Sequence, residues 1–211
     1  MNILIVEPKY YTSKTQPYFP VGPAYIAASL MRDNHRVDII NANQIEGTFE
    51  DIVQRVRFEI SSGDYDAIAM GGLCTTFEFQ ENLFNILRKD KQDILLIGGG
   101  NLISSEPEFC FERFNLDFGI LGEGEIPFTE LCNAIENNAK TDTIPGLIYK
   151  NGKGMTKNKN TCVRNPDDIP LPVWELFESE ERLRTRDHMP VFTSRSCPYN
   201  CTFCFHPEGS F

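Results

Sequence analysis

Three thiols near the carboxyl end stand at a spacing that can do chemistry. Cys197-Pro198-Tyr199-Asn200-Cys201-Thr202-Phe203-Cys204 is a C-x3-C-x2-C run that closely follows the short apolar stretch Val191-Phe192-Thr193. Three thiolates on one tight loop can hold three irons of a cubane, which leaves a fourth iron without a protein ligand nearby. Such an open iron can bind a small chelating molecule rather than only pass electrons. A zinc site formed by Cys197, Cys201, Cys204 and His206 is an alternative, although zinc sites usually pair their ligands as C-x2-C and draw the other pair from a distant segment. Unligated thiols are another. A disulfide framework is less consistent with the chain, because seven cysteines is an odd number and no signal peptide or apolar run of membrane length opens the sequence. These features point to a reducing cytoplasm.

A second set of residues offers a binding surface rather than a reactive group. Loops rich in glycine recur: Gly71-Gly72-Leu73-Cys74-Thr75-Thr76, Gly98-Gly99-Gly100-Asn101 and Gly122-Glu123-Gly124-Glu125. Glycine lets backbone approach a large ligand closely, and Thr75 and Thr76 offer hydroxyls at a helix start. A longer loop, Glu7 to Gly22, is aromatic, with Tyr10-Tyr11 and Tyr18-Phe19-Pro20. Turns after strands favour glycine for conformational reasons alone, so each loop by itself is weak evidence. None spells a nucleotide motif: Gly98-Gly99-Gly100 lacks the third glycine of G-x-G-x-x-G, and no G-x4-G-K-[ST] occurs.

The elements that must position these groups alternate regularly. Strand-like apolar runs Ile3–Val6, Val37–Ile40, Ala67–Met70, Ile94–Ile97 and Phe118–Leu121 are each followed by a helical pattern, near Pro23–Arg32, Phe49–Ile60, Phe77–Lys89, Glu106–Phe114 and Ile126–Asn137. Continuous apolar strands separated by helices predict a doubly wound parallel α/β sheet of Rossmann or flavodoxin type, covered on both faces. Ligands of such sheets sit beyond the carboxyl ends of the strands, where the glycine loops fall, and together these describe a broad, flat-floored site. Hydrophobic residues make up 41% of the 211, enough for a sizeable core. A net charge of -10 argues against a nucleic-acid or anionic-membrane partner. Residues 1–140 are expected to form the α/β domain. Residues 141–189 should form a hairpin around Asn151-Gly152, an extended connector through Pro166, Pro170 and Pro172, and a docking helix at Trp174–Phe177. Residues 190–211 should supply the first strand, at Val191–Thr193, and the cysteine loop of a second, incomplete domain.

The ordered set resembles the cobalamin-binding-domain subgroup of radical S-adenosylmethionine enzymes, which includes many methylases and the anaerobic porphyrin cyclase. The resemblance is carried by the cysteine motif with Phe203 before its third thiol, by Pro20-Val21-Gly22-Pro23, by the Gly-Gly-Gly and Gly-Glu-Gly-Glu loops, and by Asp168-Ile169-Pro170-Leu171-Pro172. It implies that Cys197, Cys201 and Cys204 ligate a 4Fe-4S cluster whose open iron chelates S-adenosylmethionine, cleaved on reduction to a 5'-deoxyadenosyl radical, with Phe203 shielding the cluster. It implies a corrinoid held at Pro20, Gly22, Gly72, Leu73, Thr75, Thr76, Gly98, Gly99, Gly100, Gly122, Glu123 and Gly124. The outcome would be methyl transfer, or radical rearrangement or oxidation, on a small-molecule or peptide substrate, with an electron donor such as flavodoxin or ferredoxin.

Histidine qualifies the corrinoid site. Classical carriers place a D-x-H-x-x-G histidine below cobalt from the loop after the first strand, and the loop Glu7 to Gly22 contains no histidine. Asp33-Asn34-His35 lies after the first helix, at the opposite end of the sheet, so His35 reads as a surface turn residue, and His188 and His206 as non-ligands. The lower face of a bound cobalamin would then be covered by packing residues, the aromatic first loop and Leu73, and the fold without the cofactor stays open. Cys110, Cys132 and Cys162 read as small hydrophobes, and Cys74 as a thiol at the mouth of the third strand.

Only Phe205 to Phe211 follow the last motif cysteine, whereas a full (β/α) barrel takes about 250 residues. The expectation is an amino-terminal part of a longer enzyme or a truncated product, unable by itself to turn over. A non-catalytic ligand-binding module that has lost its barrel is the alternative from another class.

Overall fold

The computed structural model describes residues 1–10, 19–152, 154–163, 165–178, 180–185, 189–195, 197, 199 and 201–204. Tyr11, Tyr18, His188 and His206, singled out above, lie outside the described residues.

Seven strands make one sheet in the order β2-β1-β3-β4-β5-β6-β7. Strands β1 (Asn2–Glu7), β2 (Arg36–Asn41), β3 (Ala67–Gly71), β4 (Leu95–Gly99) and β5 (Phe118–Ile120) are parallel, the doubly wound pattern expected from the sequence. The sheet is wrapped by α1 (Val21–Arg32), α2 (Phe49–Ser62), α3 (Phe77–Asp90), α4 (Gly100–Ser105), α5 (Pro107–Arg113) and α6 (Glu125–Glu136), and α7 (Glu180–Thr185) follows the connector. Alternation along each strand divides the core in two. Leu4, Val6, Ile68 and Leu96 face α2, α3 and α5, while Ile3, Ile5, Ala69, Ile97 and Ile120 face α1 and α6.

Within the sheet and its helices the structure adds to or departs from the sequence reading at several points. The helix expected near Glu106–Phe114 is present as α5, but a further short helix, α4, precedes it, and Pro107 disfavours helical backbone at Glu106, which sits at φ -134° and separates the two. The glycine loop Gly98–Asn101 is not a loop. Gly98 and Gly99 end β4, and Gly100, at φ +77°, turns the chain into α4 within one residue. The hairpin β6 (Leu147–Asn151) and β7 (Gly154–Lys157) does not stand apart in the connector: β6 pairs antiparallel with β5, covering the edge that short strand would otherwise expose.

Beyond the sheet, the connector turns back onto α1. Trp174–Leu176 is one 3₁₀ turn where a docking helix was expected, Val173 N–H donates to Ala24 O at 3.2 Å, and Phe177 meets Phe19 edge to face at 5.7 Å. Val191–Thr193, expected to open the second domain as a strand, forms none. No helix among the described residues is long and apolar enough to cross a membrane.

Candidate functional site

At the carboxyl ends of the parallel strands a cleft of about 400 Å³ opens on the α1 and α6 side of the sheet. Its size suits a small-molecule site. Ile5, Ala69 and Ile97 are direct neighbours in strand register and form its floor with Ile120, while Ile26 from α1 and Phe128 from α6 form the walls. The flat floor expected from the sequence is flanked by walls, because Ile26 of α1 and Phe128 of α6 line the cleft beside it.

Of the expected contact residues, Gly22, Gly72, Leu73, Gly98, Gly99, Gly100, Gly122, Glu123 and Gly124 line this cleft, joined by Tyr10 from the first loop. Pro20 does not; it is buried and precedes the first turn of α1. Thr75 is exposed outside the cleft. Thr76 is buried, its hydroxyl donating to Leu73 O at 2.8 Å and accepting from Gln80 Nε2 at 2.9 Å, so it closes its own turn instead of facing a ligand.

The glycines have different reasons for being glycine. A Cβ on Gly100 would lie 2.7 Å from Gly72 N, one on Gly98 2.5 Å from Leu116 Cδ1, and one on Gly122 2.4 Å from Asn160 Nδ2, so these positions are set by protein packing. A Cβ on Gly22 would meet nothing within 4 Å, and one on Gly99 only Ile120 O at 3.9 Å. Both line the cleft, so there the missing side chain leaves room for a ligand.

Charge enters the cleft at two points, where the sequence reading had singled out Glu123 but neither Glu7 nor Arg195. Glu7 ends β1 at only 2% exposure, and burial pushes its carboxyl up to about 8, opposed by a hydrogen bond with Tyr10. A neutral acid thus borders an apolar floor. At the mouth, Arg195 Nη2 donates to Glu125 Oε1 at 2.5 Å and Arg195 Nη1 lies 3.8 Å from Glu123 Oε1. The guanidinium sits 5.1 Å from the Tyr25 ring centroid and 5.0 Å from that of Phe192. Glu123 also accepts from Val163 N–H at 2.6 Å, so it ties the glycine turn to the connector as well as lining the cleft. A signal for both sites existed: a carboxylate ends an otherwise apolar strand, and an arginine stands two residues before Cys197.

Cys197, Cys201 and Cys204 are exposed, and Phe203 is 91% exposed. Cys204 N–H donates to Cys201 O at 3.0 Å, which makes a turn of the second half of the motif. Among the described residues no group of three or more potential ligands is gathered for a metal ion. Cys74 is exposed and outside the cleft lining, and Cys110 and Cys132 are buried, with burial pushing their thiols up to about 11 and about 12. His35 is not a surface residue. It is 3% exposed, with Nδ1 at 3.1 Å from the amino-terminal amine and Nε2 at 3.1 Å from Asn133 Oδ1, because the last turn of α6 covers the turn after α1. It lies at the end of the sheet opposite the cleft, so no histidine among the described residues reaches the site.

Comparison with known proteins supplies a name for this arrangement. The chain is 31% identical over 97% of its length to the uncharacterized methyltransferase PH0819 of Pyrococcus horikoshii, covering 45% of that protein. It is 24% identical over 88% of its length to cytidylyl-2-hydroxyethylphosphonate methyltransferase of Streptomyces wedmorensis, covering 43%. The chain thus spans less than half the length of these relatives. Its fold matches that of the cobalamin-dependent S-adenosylmethionine radical enzyme OxsB, solved with aqua-cobalamin and S-adenosylmethionine bound, at a TM-score of 0.78 over 99% of this chain and 28% of that one, at 20% identity. The B12 binding domain profile matches residues 12–132, the stretch that carries α1 through α5, most of α6 and every glycine of the cleft. By sequence and by fold, the chain belongs to the B12 binding domain family.

Proposed function

We propose that this chain is the corrinoid-holding and cluster-bearing portion of a cobalamin-dependent radical S-adenosylmethionine enzyme that transfers a methyl group, or carries out a radical rearrangement or oxidation, on a small-molecule or peptide substrate. The observation that carries this reading is the open space at Gly22 and Gly99 above an apolar floor at the strand ends, where an added Cβ would meet no side chain. Cobalamin supplies a cobalt centre that can carry a methyl group, and a 4Fe-4S cluster supplies the electron that cleaves S-adenosylmethionine.

The chain's own residues have the positioning work. Tyr10, Gly22, Leu73, Gly99 and Gly124 would hold the corrinoid, with Ile5, Ala69, Ile97 and Ile120 excluding water beneath it. Among the described residues no imidazole reaches the cleft, so Tyr10 and Leu73 would cover the lower face by packing. Cys197, Cys201 and Cys204 would hold the cluster, and an electron donor such as a flavodoxin or ferredoxin would reduce it. The exposure of the three thiols favours a second reading, in which this portion holds a corrinoid alone and does no chemistry.

Anaerobic reconstitution of the chain with iron, sulfide and hydroxocobalamin, followed by desalting and metal analysis, tests both. Expected is about one cobalt per chain with the absorbance of a cobalamin lacking a base below cobalt. Gly99→Val should reduce retained cobalt at least about tenfold without moving the thermal midpoint, since Gly99 has extended backbone that valine adopts and its Cβ meets only open cleft. A folded wild-type chain that retains no cobalt would remove cobalamin from the reading. Cobalt without iron and sulfide would select the non-catalytic one.

A further inference from the structure

Residues 189–195 approach the cleft mouth along a path fixed by few but specific contacts. Trp174 Nε1 donates to Pro190 O at 3.4 Å, Phe192 N–H donates to Tyr25 Oη at 3.1 Å, and the Phe192 and Tyr25 rings stack at 5.5 Å and 13°. Arg195 then closes over both rings and pairs with Glu125. Glu125 is 3% exposed and the Arg195 side chain 14%, so this pair is largely withdrawn from water. A buried carboxylate left without its cation is strongly unfavourable, so the segment cannot lift away without stranding Glu125. The fork of the guanidinium matters as well as its charge: it reaches toward Glu123 and Glu125 while sitting over two aromatic rings, which a lysine ammonium cannot fully reproduce.

We propose that Arg195 is a positioning residue that latches the cysteine loop to the cleft mouth, with Glu125 as its buried anchor, an inference that rests on reading the cleft as the corrinoid site and the loop as the cluster site. Cys197 stands two residues beyond Arg195, so the latch sets where the first motif thiol emerges. Arg195 and Phe192 also line the cleft, so an occupant touches the latch directly. Occupancy of the cleft and order of the segment are therefore coupled, and linkage makes that coupling reciprocal.

Hydrogen exchange read by mass spectrometry tests this on the 211-residue chain, with and without hydroxocobalamin. In the ligand-free protein, Arg195→Gln should speed exchange of the peptide covering 190–195 at least about tenfold, leave peptides of β1 and β3 unchanged, and be partly rescued by Arg195→Lys. Glu125→Gln should produce the same local loosening, which keeps the test informative should Arg195→Gln fail to fold. Hydroxocobalamin should slow the 190–195 peptide in the wild type and not in either glutamine variant. Wild-type exchange of 190–195 in both glutamine variants overturns the latch. A wild-type chain that takes up no hydroxocobalamin overturns the reading of the cleft, while the ligand-free comparison still reports on the latch by itself.

Discussion

Glu7 shows how one residue can make the cleft respond to pH. Its ordinary value of 4.5 applies to the unfolded chain, while burial holds the folded carboxyl near 8. Below about pH 4.5 both states keep the proton and nothing is lost. Between there and about pH 8 the unfolded carboxyl ionises while the folded one stays neutral, so the native state loses stability as pH rises, about 1.4 kcal/mol for each unit of separation. Glu7→Gln removes this dependence while keeping the shape. Urea unfolding at about pH 5 and about pH 8 should give nearly equal stability for the two proteins at the lower value and a gap of several kcal/mol in favour of the variant at the higher one. Parallel profiles would show that Glu7 is ionised in the fold. At this scale the sequence was legible where a residue type has one reason to be present and obscure where it has two. Seven glycines were read as cofactor contacts and all seven line the cleft, but Gly98, Gly100 and Gly122 also answer to Leu116, Gly72 and Asn160, partners that come together only when the chain folds. Arg195 was passed over for the same reason, since its partners are 70 and 170 residues away in sequence.

Local codes were legible for most elements because the signals lie within a few residues of one another. Helix α2 is the clearest case. Its cap residue Thr48 accepts from Asp51 N at 3.4 Å, and the Asp51 carboxylate accepts from Thr48 N at 2.7 Å and from the Thr48 hydroxyl at 2.8 Å. These bonds hold the Asp51 carboxyl below its ordinary value, so the part of the cap that depends on its charge is present at neutral pH and lost as pH falls through the carboxylate range. Thr48→Ala should cost about 1 kcal/mol in urea unfolding at neutral pH and leave retained cobalt unchanged, because α2 packs on the face of the sheet away from the cleft. A cost near zero would mean that the Ile52, Val53, Val56 and Ile60 face fixes this helix without its cap. The hairpin marks the limit of local codes. Asn151-Gly152 announced a turn, but that β6 would join β5 depends on β5 being three residues long with an open edge, a property of the assembled sheet. Likewise Val191–Thr193 has strand composition and makes no strand, since a strand is a property of its neighbours.

The whole molecule raises the question of whether the connector folds with the sheet or hangs from it. Its composition, with Pro166, Pro170 and Pro172, reads as an extended spacer. The contacts say otherwise. Gln44 Nε2 donates to Phe177 O at 2.9 Å, Arg32 Nη1 donates to Asp168 O at 2.6 Å, and Phe177 is buried with Phe19 and Ala24 in a small cluster of its own. That cluster lies at the start of α1, the helix whose Tyr25 receives Phe192 and Arg195. Connector, first helix and cysteine approach thus form one chain of contact, and loosening the first should be felt at the last. Phe177→Ala removes the ring that holds the connector down, at about 3 to 5 kcal/mol if the cluster belongs to the cooperative core. The expected result is a single urea transition moved to lower concentration with an unchanged slope, accompanied by faster exchange at residues 190–195. If the connector were an independent appendage, the sheet transition would stay in place, exchange would rise only in the connector, and the geometry at the cleft mouth would owe nothing to the residues between 158 and 190. The two outcomes differ because a fully buried aromatic ring either is or is not part of the unit that unfolds together.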